Sequence, residues 1–132
     1  MELLVDAMNV VGSRPDGWWR DREGAVRRLI ERLVALAAGD RVSITVVIDG
    51  FPYESVPEGA DEGVTVLYAH ARGANAADDR IVAELEQHED PEAITVVTSD
   101  RALRLRAQAL GATVVGVGTL LARLDARSPR RP

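Results

Sequence analysis

The chain of 132 residues contains no cysteine and no lysine. Without cysteine there are no disulfides, no thiolate metal sites and no cysteine nucleophile. Without lysine there is no P-loop, whose lysine reaches the phosphates, and no Schiff-base chemistry. A receiver-type phosphorylation domain also gathers acids at a sheet edge, but it needs a lysine after a late strand. No apolar run approaches the roughly 18 residues of a membrane span. No basic stretch precedes the first apolar run, so a secretion signal is not expected and the expected location is cytoplasmic. The net charge is -5, from 21 acids and 16 bases, every base being arginine. This balance gives no general attraction to nucleic acid. The use of arginine for lysine is attributed to genomic base composition.

What is present is a chain rich enough in hydrophobic residues, at 46%, to bury a core. The pattern alternates short apolar runs with helical periodicity. Leu3-Leu4-Val5 ends at Asp6, and a Gly/Pro-rich loop covers Gly12 to Gly17. Val26, Leu29, Ile30, Leu33, Val34 and Ala37 repeat at helical spacing, with Asp21 as cap and Gly39 as stop. Further strands are read at 42–48, 64–68, 94–97 and 113–115. One helix begins near Asn75 and carries Ile81, Val82 and Leu85. Another carries Leu103, Leu105, Ala107 and Leu110 and closes at Gly111, and a short one spans Leu120 to Leu124. Strands apolar on both faces, alternating with helices, predict a three-layer α/β/α domain around a mostly parallel five-stranded sheet. Residues 1–126 are assigned to a single domain and 127–132 to a flexible Arg/Pro tail.

In such a sheet, ligands bind outside the carboxyl ends of the strands. Asp6, Asp49 and Asp100 each follow a strand, and Asp78 and Asp79 open the helix after the third strand. Each alone has an ordinary explanation as a turn former or a helix-start acid. Together they fall on one edge, where several carboxylates repel unless a cation neutralises them. Mg²⁺ or Mn²⁺ suits an all-oxygen donor set, and such an ion can activate water against a phosphodiester. Asp78 shares a face with Ile81, Val82 and Leu85 and is expected to point inward, whereas Asp79 is offset toward the rim. Asn9, Thr98 and Ser99 are candidates to orient water or a phosphate oxygen.

At these residues the chain resembles the NYN branch of the PIN-like nucleases, and within it the bacterial YacP-like proteins. The segments that carry the resemblance are LLVDAMNVVG (3–12), VVIDG (46–50), ANAADDRIVAEL (74–85) and TVVTSDRALRLRAQALGATVV (95–115). The resemblance implies a sheet ordered 3-2-1-4-5 and metal-dependent endoribonuclease activity. It gives Asp6, Asp78 and Asp100 the metal-binding roles, Asp49 the acid after the second strand, Asp79 a secondary one, and Asn9 the adjacent asparagine. It implies RNA as partner, with messenger RNA on the ribosome as the context. Ala7 stands where the family usually has glycine, and the chain is shorter than typical members.

Other residues are weighed beside these. Trp18-Trp19-Arg20 offers one tryptophan as a packing staple and the other, Trp19, as a stacking surface for bases. Arg14, Arg20, Arg22, Arg72 and Arg101 fall in or near carboxyl-edge loops, where arginine can hold phosphates. His70 and His88 lie far apart in sequence and do not suggest a two-histidine metal site; His70 follows the third strand but is disfavoured as an edge residue, and His88 reads as a solvated helix end. No GxSxG elbow is present. Met8 stands where a haloacid-dehalogenase-type phosphatase needs its second aspartate, and the turn after the first strand lacks the glycines of a dinucleotide fold. Two alternatives share the same edge: a small-nucleotide phosphohydrolase on the same metal site, and a non-catalytic module binding RNA or protein. The sequence leaves a homodimer open.

Overall fold

The computed structural model describes residues 1–73 and 75–127. Its elements run in order β1 (Glu2–Asp6), α1 (Ala7–Val11), α2 (Arg22–Asp40), β2 (Ser43–Ile48), β3 (Gly59–Asp61), β4 (Val64–Tyr68), α3 (Ala76–Gln87), β5 (Ile94–Val97), α4 (Arg101–Ala109), β6 (Thr113–Val115) and α5 (Val117–Arg127). Two short 3₁₀ turns, Trp18–Arg20 and Pro91–Ala93, precede α2 and β5. The strands form one sheet ordered β3-β4-β2-β1-β5-β6. Every pairing is parallel except the β3–β4 hairpin. The five strands read from the sequence therefore take the expected order 3-2-1-4-5, and a sixth strand is added at one edge.

The added strand is a correction with a clear cause. Gly59-Ala60-Asp61 has low strand propensity and no apolar pattern, so nothing in its composition announces it. It is made by its turn: Glu62 and Gly63 both take positive φ, 51° and 84°, as a tight two-residue hairpin requires. The five-residue α1 was likewise not foreseen, because so short a segment carries no readable period. Helix α2 begins where expected, with the Asp21 side chain accepting from the Gly24 N–H at 3.0 Å. It runs past Gly39 and stops at Arg41, whose φ of 52° supplies the left-handed cap. Gly39 instead leaves room for the Arg127 guanidinium, which a Cβ there would meet at 2.6 Å. Arg127 is the last residue of α5; the remainder of the expected tail lies outside the described residues.

Alternation along the strands splits the core into two layers. Leu3, Val5, Ile44, Val46, Ile48 and Val66 pack toward α1, α2 and α5, against Val26, Leu29, Leu33, Leu36, Leu120 and Leu124. Leu4, Val47, Ile94 and Val96 pack on the other side against Ile81 and Leu85 of α3 and Leu103 and Ala107 of α4. This is why both faces of the sheet are apolar. Leu105 departs from the expected apolar face of α4 and is 59% exposed. Among the described residues no helix is long and apolar enough to cross a membrane.

The loop between β2 and β3 is held from beneath by one buried phenol. The Tyr68 hydroxyl donates to the Val56 carbonyl at 2.6 Å and accepts from the Tyr53 N–H at 3.3 Å. Replacing it leaves a buried carbonyl unpaired, which costs about 1–3 kcal/mol. Tyr68→Phe is therefore expected to lower stability to urea by about that amount with the denaturant slope unchanged. A loss below a few tenths of a kcal/mol would show that the phenol does not hold this loop.

Candidate active site

The site grows from the ends of the two central strands. Asp6 closes β1, opposite Val47 of β2, while Val5 stands opposite Val97 of β5. This register sets Asp6 level with Thr98 and two residues deeper than Asp49. With strands on both sides and α1 following directly, Asp6 is only 5% exposed. Its carboxylate accepts a hydrogen bond from the buried Thr98 hydroxyl at 3.0 Å. The same hydroxyl oxygen accepts from the Asp100 N–H at 3.1 Å, so one threonine side chain ties the first acid to the backbone of the last.

Helix α1 turns Asn9 back over this junction. Its Oδ1 accepts from the Ser99 N–H at 2.7 Å, which fixes the β5–α4 loop against β1. The Asn9 amide NH₂ keeps no hydrogen-bond partner among the described residues. Ser99 is exposed, and its hydroxyl accepts from the Val117 N–H at 3.0 Å, at the start of α5.

The remaining acids meet helix N-termini. Asp49 follows β2, is exposed, and accepts from the Ala77 N–H in the first turn of α3 at 3.2 Å. Asp100 caps α4 by accepting from the Leu103 N–H at 2.9 Å. Each uses its Oδ1 in this bond. Asp78 lies in the first turn of α3, on the side of Ile81 and Leu85, and is half-buried.

The electrostatics show that these acids feel one another. Burial, followed by the charges of Asp78 and Asp49, raises the Asp6 pKa from 3.8 to about 6, against the lowering hydrogen bonds from Thr98 and the Asn9 backbone. Asp78 is also raised, first by burial, then by Asp100, with Asp49 and Asp79 adding and Arg106 opposing. Asp6, Asp49, Asp78 and Asp100 thus share one electrostatic neighbourhood. Among the described residues, however, no three acidic or imidazole side chains are placed to grip one ion directly. The donor set fits a hydrated hard cation such as Mg²⁺ or Mn²⁺, which takes one or two carboxylates and keeps several waters.

Several sequence-selected residues lie apart from this cluster. Asp79, one position on from Asp78, is rotated to the outer face of α3 and pairs with Arg106 of α4 at 3.0 Å. Arg14 turns the other way and joins Arg32 in holding Asp125 of α5, at 3.0 and 2.7 Å. The guanidinium expected to meet phosphate is committed to a carboxylate instead. Trp18 packs against the core, while Trp19 is 52% exposed with Arg20 over its ring at 5.9 Å. Arg72 lies over the ring of Phe51 at 5.7 Å. Arg101 is exposed at the start of α4 and has no ion pair among the described residues. His70 bonds Glu58 at 2.7 Å, and His88 bonds Glu2 at 2.9 Å, at the opposite end of the sheet.

Sequence reasoning missed the groove next to Asp49, which is lined by Trp18, Arg22, Phe51, Tyr53 and Arg72. The available signal was the run Phe51-Pro52-Tyr53 directly after a strand-ending Asp-Gly.

Comparison with known proteins agrees with this architecture. Two crystal structures of Rae1 (YacP) from Bacillus subtilis superpose on the chain. A tryptophan-to-leucine variant of that protein has a TM-score of 0.74 at 22% identity, covering 96% of this chain and 76% of that one. The unsubstituted protein has a TM-score of 0.71 at 22% identity, covering 96% and 75%. At such identity the likeness speaks for the fold. No curated protein matches the sequence. The sequence model of the YacP-like NYN domain matches residues 3–130, nearly the whole chain, and the protein therefore belongs to the YacP-like NYN domain family, with a nuclease-type fold.

Proposed function

We propose that the protein is a metal-dependent endoribonuclease that hydrolyses RNA phosphodiester bonds at the carboxyl edge of its sheet. One observation carries this reading: a buried aspartate, Asp6, has its pKa raised by burial and by the charges of Asp78 and Asp49, while Asp100 acts in turn on Asp78. Such an arrangement is costly for a fold unless a cation or a proton offsets it. A bound Mg²⁺ or Mn²⁺ would supply activation of water and charge neutralisation at the leaving oxygen.

The chain's own groups have separable parts in this proposal. Asp6, Asp78 and Asp100 hold the ion, directly or through its waters, with Asp49 at the outer side. Thr98 fixes the orientation of the Asp6 carboxylate. The Asn9 amide donates toward a water or a phosphate oxygen. The helix bonds to Asp49 and Asp100 each use one oxygen and leave the other for the ion or its water shell.

Cleavage of a single-stranded RNA in Mn²⁺ or Mg²⁺ tests the reading. EDTA is expected to abolish it, and Asp6→Asn or Asp78→Asn to slow it by roughly 100-fold or more while the protein stays folded. Full activity in a folded Asp6→Asn variant would overturn the proposal. Phosphate release from mononucleotides without RNA cleavage would favour the small-nucleotide phosphohydrolase, and absence of divalent binding the non-catalytic module.

A second prediction follows from the raised Asp6 pKa. The folded state holds this proton more tightly than the unfolded chain, so stability falls as pH rises from about 4 to about 6. Asp6→Asn removes that loss. In metal-free buffer it is expected to stabilise the protein by up to about 3 kcal/mol at pH 7 and to have little effect near pH 4. Denaturant melts of both proteins at the two pH values check this; a variant less stable than the parent at pH 7 would contradict it.

A further inference from the structure

The groove beside Asp49 has a volume of about 490 Å³, within the range of sites that hold small ligands or single residues of a polymer. Its chemistry differs from that of the acid cluster. Arg22 lies over the ring of Trp18 at 5.3 Å and Arg72 over the ring of Phe51 at 5.7 Å. Neither arginine has a carboxylate ion pair among the described residues, whereas Arg14, Arg32, Arg80, Arg106, Arg123 and Arg127 are all paired with acids. Phe51, the chain's one phenylalanine, is 50% exposed. Gly50, with φ of 77°, makes the turn that carries it out of the sheet. The exposed ring and the two guanidinium groups without acid partners line one groove together with Trp18 and Tyr53.

We infer that this groove is a subsite for single-stranded RNA next to the acid cluster: one unstacked base lies against Phe51, and Arg72 and Arg22 hold the phosphates on either side. The choice of ligand rests on the nuclease reading above. Ring faces and guanidinium forks are together what a nucleotide needs, since a base stacks on the first and a phosphate accepts from the second. An acidic peptide would use the arginines but not the exposed part of the Phe51 ring, which also meets His70 edge-to-face at 6.0 Å. Duplex RNA would not serve either, because its base faces are covered by neighbouring pairs. Asp49 lines the same groove, so a strand lying on Phe51 continues directly toward the carboxylates.

The test is fluorescence anisotropy with a short labelled oligouridylate in EDTA, where binding is read without metal-dependent cleavage. Phe51→Ala is expected to weaken binding roughly 5- to 100-fold, and Phe51→Trp to preserve it. Arg72→Ala is expected to weaken binding and to reduce the slope of log affinity against log salt by about 0.7. A duplex of the same length is expected to bind more weakly than the single strand. Unchanged affinity in Phe51→Ala, equal binding of the duplex, or no binding by the parent protein overturns the subsite. Cleavage in Mn²⁺ is scored separately. A parent protein that cleaves while Phe51→Ala binds and cleaves normally overturns the subsite and leaves the nuclease reading intact. Phe51-dependent binding without any cleavage supports the subsite and overturns the nuclease reading.

Discussion

The structure depends on keeping one carboxylate, Asp6, buried at the end of the central strand. A buried charge is tolerated only where hydrogen bonds or opposite charge replace the water it has lost. Here the replacement is incomplete. Thr98 and the Asn9 backbone donate to Asp6, yet burial still dominates and its pKa remains raised. The rest of the edge is arranged around that deficit. The register of β1 with β2 and β5 sets how deep Asp6 lies, and Thr98 joins it to the loop that carries Asp100.

Part of the repulsion is met by the fold itself. Asp49 and Asp100 accept from N-terminal amides of α3 and α4, where the helix ends carry partial positive charge. Arg106 lowers the Asp78 pKa from the neighbouring helix while pairing with Asp79. These contributions allow four acids to coexist in a folded chain, but they act at the perimeter. Among the described residues Asp6, at the centre, receives no arginine. The geometry therefore leaves the central acid with the largest unmet charge, which is the position where a cation or a proton gains most.

Much of this was legible in the sequence because it follows from patterns of a few residues. Strands that are apolar on both faces fix a sandwiched parallel sheet, and strand-ending acids then fall on one edge. The inward turn of Asp78 and the outward turn of Asp79 follow from helical spacing. What was not legible depends on encounters between distant segments. Arg14 meets Asp125 only because α5 packs beside α2, and no local feature of the loop around Arg14 announces that partner. Strand β3 exists through two positive φ angles rather than through composition. The groove at Phe51 needs the β2–β3 loop, the β4–α3 loop and the start of α2 to meet, and these segments are far apart in the chain.

The arginine pairing also resolves a tension in the composition. A net charge of -5 argues against binding a polyanion if charge is spread evenly. It is not spread evenly. Asp125 and Asp40 take up four arginines on the α2–α5 side, and Glu84 and Asp79 take up two more on α3. Arg20, Arg22 and Arg72 instead lie over aromatic rings, and Arg101 stands exposed directly after Asp100. A guanidinium over a ring retains its charge and its donors, whereas one locked to a carboxylate has little of either to offer a phosphate. The pairing does not alter the overall acidic balance, but it leaves the donors of Arg20, Arg22, Arg72 and Arg101 without a carboxylate among the described residues, beside an acidic centre. That combination suits a ligand whose phosphates need both arginine donors and a shared cation.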